Sequence, residues 1–135
     1  MADPMSVFLV AGRAMSAQLV RLNTTASNLA NAGGTTGSAD TAYKTMKPVF
    51  RTSFDAATGL STVDVEKIVT AGEDPTKRHD PNNPLADKDG NVFEAAVDET
   101  RELVDMMETA RTYQNNVEVM QTAKSLILDT VRMGK

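Results

Sequence analysis

Cysteine is absent from the 135 residues, so disulfides, thiolate metal sites and a cysteine nucleophile are all excluded. Tryptophan is absent too, and aromatics amount to two Tyr and four Phe. The single histidine, His79, sits among prolines without a second histidine to share a metal or a proton. Fourteen Lys and Arg stand against eighteen Asp and Glu, a formal net charge of −4, and no basic run exists to track a phosphate backbone. Nucleic acid is therefore not an expected partner. The apolar stretch from Met5 to Ala11 is ended by Arg13 and is too short to span a bilayer. Asp3 stands where a signal peptide would carry positive charge, so no cleaved leader is expected.

What remains is rich in Ala, Val, Leu and eight Met, the material of helix–helix seams. An apolar register with alternating spacings of four and three runs through Phe8, Gly12, Met15, Leu19, Leu22, Ala26 and Leu29. Asn31-Ala32-Gly33-Gly34 stops that helix, because glycine readily takes the left-handed conformation. A second, longer register runs through Leu103, Met106, Ala110, Tyr113, Val117, Met120, Lys124, Ile127 and Val131. Asp98 is its expected N-cap, with Glu99 and Glu102 complementing the positive end of the helix dipole.

The fold expected is mainly α with a small β insertion: long N- and C-terminal helices pairing as a coiled coil, with short strands and loops between them. The segments are 1–32, 33–95 and 96–135. Within the middle, Gly33 to Asp40 reads as a linker. Tyr43 to Thr52 and Leu60 to Thr70 read as strands of a hairpin joined through Asp55 to Gly59. Asn91-Val92-Phe93 is strand-like, and Glu73 to Gly90, with three prolines, reads as a mobile loop.

Catalytic and metal templates fail. Asp87-Lys88-Asp89-Gly90-Asn91 resembles part of a calcium loop, but Leu85 and Ala96 occupy positions that need oxygen ligands. The carboxylates of Asp98, Glu99, Glu102, Asp105 and Glu108 lie at a helix start, where they read as a solvated or interface face. No enzyme activity, cofactor or small-molecule substrate is expected.

The polar faces of the helices are unusual. Between Pro4 and Ala39 the only charges are Arg13 and Arg21; Ser16, Gln18, Asn23, Thr24, Thr25, Ser27, Asn28 and Asn31 fill the rest. Gln114, Asn115, Asn116 and Gln121 repeat the pattern in the second helix. Solvated helices favour Lys and Glu, whereas amides and hydroxyls bury against neighbours without desolvating a charge. These helices therefore read as surrounded by other helices. The candidate assembly interface is Phe8, Met15, Leu19, Leu22, Ala26, Asn28, Leu29 and Asn31 on the first helix. On the second it is Leu103, Met106, Ala110, Tyr113, Asn116, Val117, Met120 and Ile127.

Leu22-Asn23-Thr24-Thr25-Ala26-Ser27-Asn28-Leu29-Ala30-Asn31-Ala32 resembles the N-terminal signature of the axial proteins of the bacterial flagellum. Three further groups, in order, narrow the resemblance to the rod proteins of the basal body. They are Tyr43-Lys44 with Pro48-Val49-Phe50, Pro84-Leu85-Ala86-Asp87 with Gly90-Asn91-Val92, and Tyr113-Gln114-Asn115-Asn116-Val117-Glu118-Val119 with Thr122-Ala123-Lys124. Gly33 to Ala42 departs from the family pattern in being longer and richer in Ser and Thr.

The resemblance implies a structural subunit of the proximal rod, the periplasmic drive shaft. It implies export by the flagellar type III apparatus without a cleaved signal peptide. The implied partners are further copies of the chain, other rod proteins, and the membrane-ring and export-gate base. Other axial subunits, a helical acidic export chaperone and a peptidoglycan-cleaving rod enzyme stay open as alternatives; the last would need a catalytic acid in a cleft.

Overall fold

A computed structural model describes residues 4–134. The element order is α1 (Pro4–Ala30), β1 (Thr35–Thr36), β2 (Met46–Asp55), β3 (Leu60–Thr70), β4 (Thr76–His79), β5 (Asn91–Glu94) and α2 (Glu99–Met133). Two long helices with a small β insertion are thus present. Gly33 has φ +74°, a conformation that favours glycine, and follows the end of α1 as the stop signal requires. At the start of α2 the Asp98 carboxylate accepts the Arg101 N–H at 3.2 Å, satisfying a donor that has no partner inside the helix.

The residues form two compact units. The first comprises Met1–Leu22, Pro48–Lys67 and Met107–Lys135, and the second Asn23–Lys47 and Ile68–Met106. In the first unit β2 and β3 run beside each other across the short turn 56–59, a connection that joins only antiparallel neighbours. The Gly59 N–H closes that turn on the Asp55 carbonyl at 2.7 Å. Arg13 reaches from α1 to β3, donating to Thr62 Oγ1 and to the Asp64 carboxylate, each at 3.3 Å. Among the described residues of this unit, Ala11, Ala17, Thr62, Thr109 and Ala123 are buried.

The second unit contains a three-stranded sheet in the order β1-β5-β4, with β5 antiparallel to both neighbours. Val92, in the central strand, is fully buried. Two expectations need correction here. The segment Gly33 to Asp40 is not only a linker, because Thr35 and Thr36 pair with Glu94 and Phe93. The segment Glu73 to Gly90 is not one long loop: Thr76 to His79 pair with Glu94 to Asn91. Its remainder closes on itself, with the Asp80 N–H on the Gly90 carbonyl at 2.8 Å and the Asp87 N–H on the Asn91 carbonyl at 2.9 Å. Asp87 Oδ1 also accepts the N–H groups of Asp89 and Asn91, so the Asp-Gly turn is held by side chain and backbone together. Strand β3 spans Leu60–Thr70 as expected, and β2 runs Met46–Asp55 rather than Tyr43 to Thr52.

Candidate assembly interface

Burial along the helices follows size and polarity rather than hydrophobicity. In α2 the buried positions Glu102, Thr109 and Ala123 recur at multiples of seven, and half-buried Asn116 completes the row. In α1 the buried positions are Ala11, Ala17, Thr24, Thr25 and Asn28. Small side chains let helices approach closely, and their hydroxyls and amides find partners there.

The apolar registers lie beside these rows. Phe8, Leu19 and Ala26 are exposed on α1, while Met15, Leu22 and Leu29 are half-buried. Leu103 is exposed on α2, and Met106, Ala110, Tyr113, Val117, Met120 and Ile127 are half-buried. Among the polar positions of the candidate interface, Asn28 is buried, Asn116 half-buried and Asn31 exposed. Further large apolar side chains stand outside the registers: Leu9, Val104, Met107, Val119, Leu126 and Leu128 are all exposed. Exposed large apolar side chains in such number are the material of an interaction site.

The second unit holds a polar cluster that the apolar pattern does not signal. Asn28, 1 % exposed, uses its side chain as a strand would use its backbone. Its Nδ2 donates to the Met46 carbonyl at 2.9 Å, and its Oδ1 accepts the Met46 N–H at 2.9 Å. The second Nδ2 hydrogen goes to Glu102 Oε2 at 3.1 Å, and the second lone pair of Oδ1 accepts the Tyr43 hydroxyl at 2.7 Å. All four hydrogen-bonding positions of the amide are filled. Tyr43 lies 3.1 Å from the Ser27 hydroxyl as well. Glu102 is only 4 % exposed, so it does not belong to a solvated acidic face. The signal for it was the Asn28 amide one turn from Thr24 and Thr25, which needs a polar partner once buried.

His79 Nδ1 lies 3.2 Å from Asn91 Oδ1, its cross-strand neighbour. Among the described residues no group of three or more His, Cys, Asp or Glu is placed to hold a metal ion. Among them, too, no helix is long and apolar enough to cross a membrane.

Two family models match the two ends that carry these helices. One, described as flagella basal body rod protein, covers residues 8–37. The other, described as flagellar basal body rod FlgEFG protein C-terminal, covers residues 89–133. Flagellar basal-body rod protein FlgC of Salmonella typhimurium is 40% identical, over 97% of this chain and 98% of its own. The chain belongs to the FlgC family of flagellar basal-body rod proteins. The Yersinia enterocolitica protein is 39% identical over 97% of this chain and 98% of its own, and that of Agrobacterium fabrum 32% over 98% and 97%. The shared length is therefore continuous: it includes the β-containing middle as well as the two helices. Asn28 and Tyr43 both lie within it, the first inside the segment matched by the N-terminal model.

Proposed function

We propose that the chain is a structural subunit of the proximal rod of the bacterial flagellar basal body, part of the drive shaft that transmits torque and encloses the export channel. The observation that carries this reading is the apolar surface left exposed along both helices of a rod-family chain. Burying a large apolar side chain contributes about 1.5–3 kcal/mol when the whole side chain leaves water. Leu19, Leu103, Val119 and Leu126 are each roughly half exposed, so each has about half that contribution left for a neighbouring subunit.

In this reading the small, polar rows hold the subunit together, and the apolar registers beside them join it to its neighbours. The helices pair as a coiled coil in the assembled rod. Segments 1–32 and 96–135 act as the joining arms, and segment 33–95 sets the spacing. An open rod needs heterologous contacts, in which one patch meets a different patch on the next subunit. Its neighbours are further copies, other rod proteins, and the membrane-ring and export-gate base. The chain reaches the rod through the flagellar type III export apparatus. It has no catalytic task; the duty of the fold is stiffness.

The test is deletion of the gene in its native host. Motility and the extracellular filament are lost, because later axial parts are built on the rod, and an intact copy restores both. Hooks assembled at normal abundance in the deletion strain would overturn the assignment.

A further inference from the structure

The first unit carries two apolar surfaces on different sides. One is an open groove of about 490 Å³, bounded by Val7 of α1 and by Val119, Ala123 and Leu126 of α2, with Glu118 as its single charged residue. A second groove of about 230 Å³ shares Val7 and Val119 with it and extends to Leu60. The other surface is a ridge on α1. Met5, Phe8 and Leu9 stand at i, i+3 and i+4, which places them on one helix face, and Met5 and Leu9 are 66% and 48% exposed. Leu9 is two residues from Val7, roughly 200° around the helix, so the ridge turns away from the chain's own groove.

Charge selects what fits the groove. Helix α2 carries six carboxylates, Glu99, Glu102, Asp105, Glu108, Glu118 and Asp129, against four basic side chains, Arg101, Arg111, Lys124 and Arg132, so a second α2 would bring net negative charge towards Glu118. Helix α1 has no acid at all, and Arg13 follows Leu9 by one turn. The Arg13 side chain is 48% exposed while it holds Asp64, so it retains open donors for a further carboxylate. We propose that the Met5–Phe8–Leu9 ridge of one copy seats in the Val7–Val119–Leu126 groove of a second copy. Each copy then offers one ridge and one groove, a heterologous contact that can repeat from copy to copy. This inference rests on the rod reading and specifies which faces of two copies meet.

Because the chain has no native cysteine, each variant carries a single cross-linking site. Chains carrying Leu9→Cys and chains carrying Val119→Cys are co-expressed in the native host, and intact basal bodies are treated with a short bismaleimide. The expected product has twice the mass of the chain, contains both variants, and is missing when either is expressed alone. A product joining the chain to a different polypeptide overturns the second-copy occupant. Basal bodies that contain the chain but yield no product overturn the contact. Native basal bodies lacking the chain altogether refute the rod reading, a distinct result. Should the cysteine variants not fold, Glu118→Lys and Glu118→Gln decide. Reversing the charge lowers incorporation into basal bodies about tenfold or more, since like charges at an interface repel strongly, while the neutral variant lowers it less. Equal incorporation of the Lys and Gln variants overturns the proposal.

Discussion

Asn28 of α1 donates from Nδ2 to the Glu102 carboxylate of α2 at 3.1 Å, and both residues are buried. A carboxylate out of water is stabilised only by the donors around it, and an amide donor binds a charged acceptor more strongly than a neutral one. The same Asn28 also holds the start of β2 through the Met46 peptide. One side chain therefore joins the end of one helix, the first turns of the other and the first residue of the hairpin.

Asn28→Ala removes four hydrogen bonds at once and leaves Glu102 without that donor. The expected loss is about 2–3 kcal/mol, the upper part of the range for leaving a buried polar group without its partner. Glu102→Gln keeps an acceptor and removes the charge, so it changes stability by roughly 1 kcal/mol or less. Urea denaturation of the purified chain measures both. Equal losses in the two variants would show that the charge, not the amide, dominates.

Leu22→Asp and Val117→Asp place a charge on half-buried positions of the two apolar registers. Each leaves a soluble, exportable chain that fails to join the rod, read as a motility defect with the protein present outside the cytoplasm. Arg13→Ala is milder for folding. Its ion pair with Asp64 is part-exposed, and such pairs are worth about 0–1 kcal/mol. Normal motility in Leu22→Asp would remove that register from the interface.

His79→Ala and Asp89→Ala leave assembly intact, since neither side chain meets a metal or catalytic template. Gly90→Ala behaves differently. Gly90 has φ +76°, and a Cβ there would meet Pro81 Cβ at 3.0 Å and His79 Cε1 at 3.1 Å. The expected loss is about 1–3 kcal/mol from backbone strain, visible as a lower Tm. A Tm in Gly90→Ala equal to that of His79→Ala would refute this account of the turn.

The Asp55 carboxyl is held below the ordinary carboxylate range, first by the Ala57 backbone N–H at 2.9 Å and then by the Thr58 side chain. Its folded pKa is lowered, so its contribution to the hairpin turn is fully present above the unfolded pKa. That contribution is lost as the pH falls through the folded value. An NMR titration therefore finds the Asp55 midpoint below that of Asp in an unstructured peptide, and Asp55→Asn removes this acid dependence of the turn. A midpoint at the peptide value would show that the Ala57 contact does not persist in solution.

The order helix, β insertion, helix is legible in the amino-acid sequence, because those signals are local. Glycine at Gly33 stops α1, Asp98 caps α2, and apolar residues mixed with Thr and Val on either side of Asp55 to Gly59 mark the hairpin. The amino-acid sequence also carried the family, through motifs spread along the chain. Strands β1 and β4 escaped it. Thr35-Thr36 is two residues long, and Thr76-Lys77-Arg78-His79 is exposed throughout, so neither has an apolar alternation to read. They are strands because β5 offers backbone partners on both of its edges, a fact that exists only in three dimensions. Which helix face turns inward is likewise a matter of packing. Apolar periodicity pointed to Leu22 and Val117, but the most buried rows are Thr24, Thr25 and Asn28 on α1 and Glu102, Thr109 and Ala123 on α2. Hydrophobicity ranks side chains by their aversion to water, whereas burial between helices also depends on size and on the hydrogen-bond partners waiting opposite. Asn28 is inside because Met46, Tyr43 and Glu102 satisfy it there.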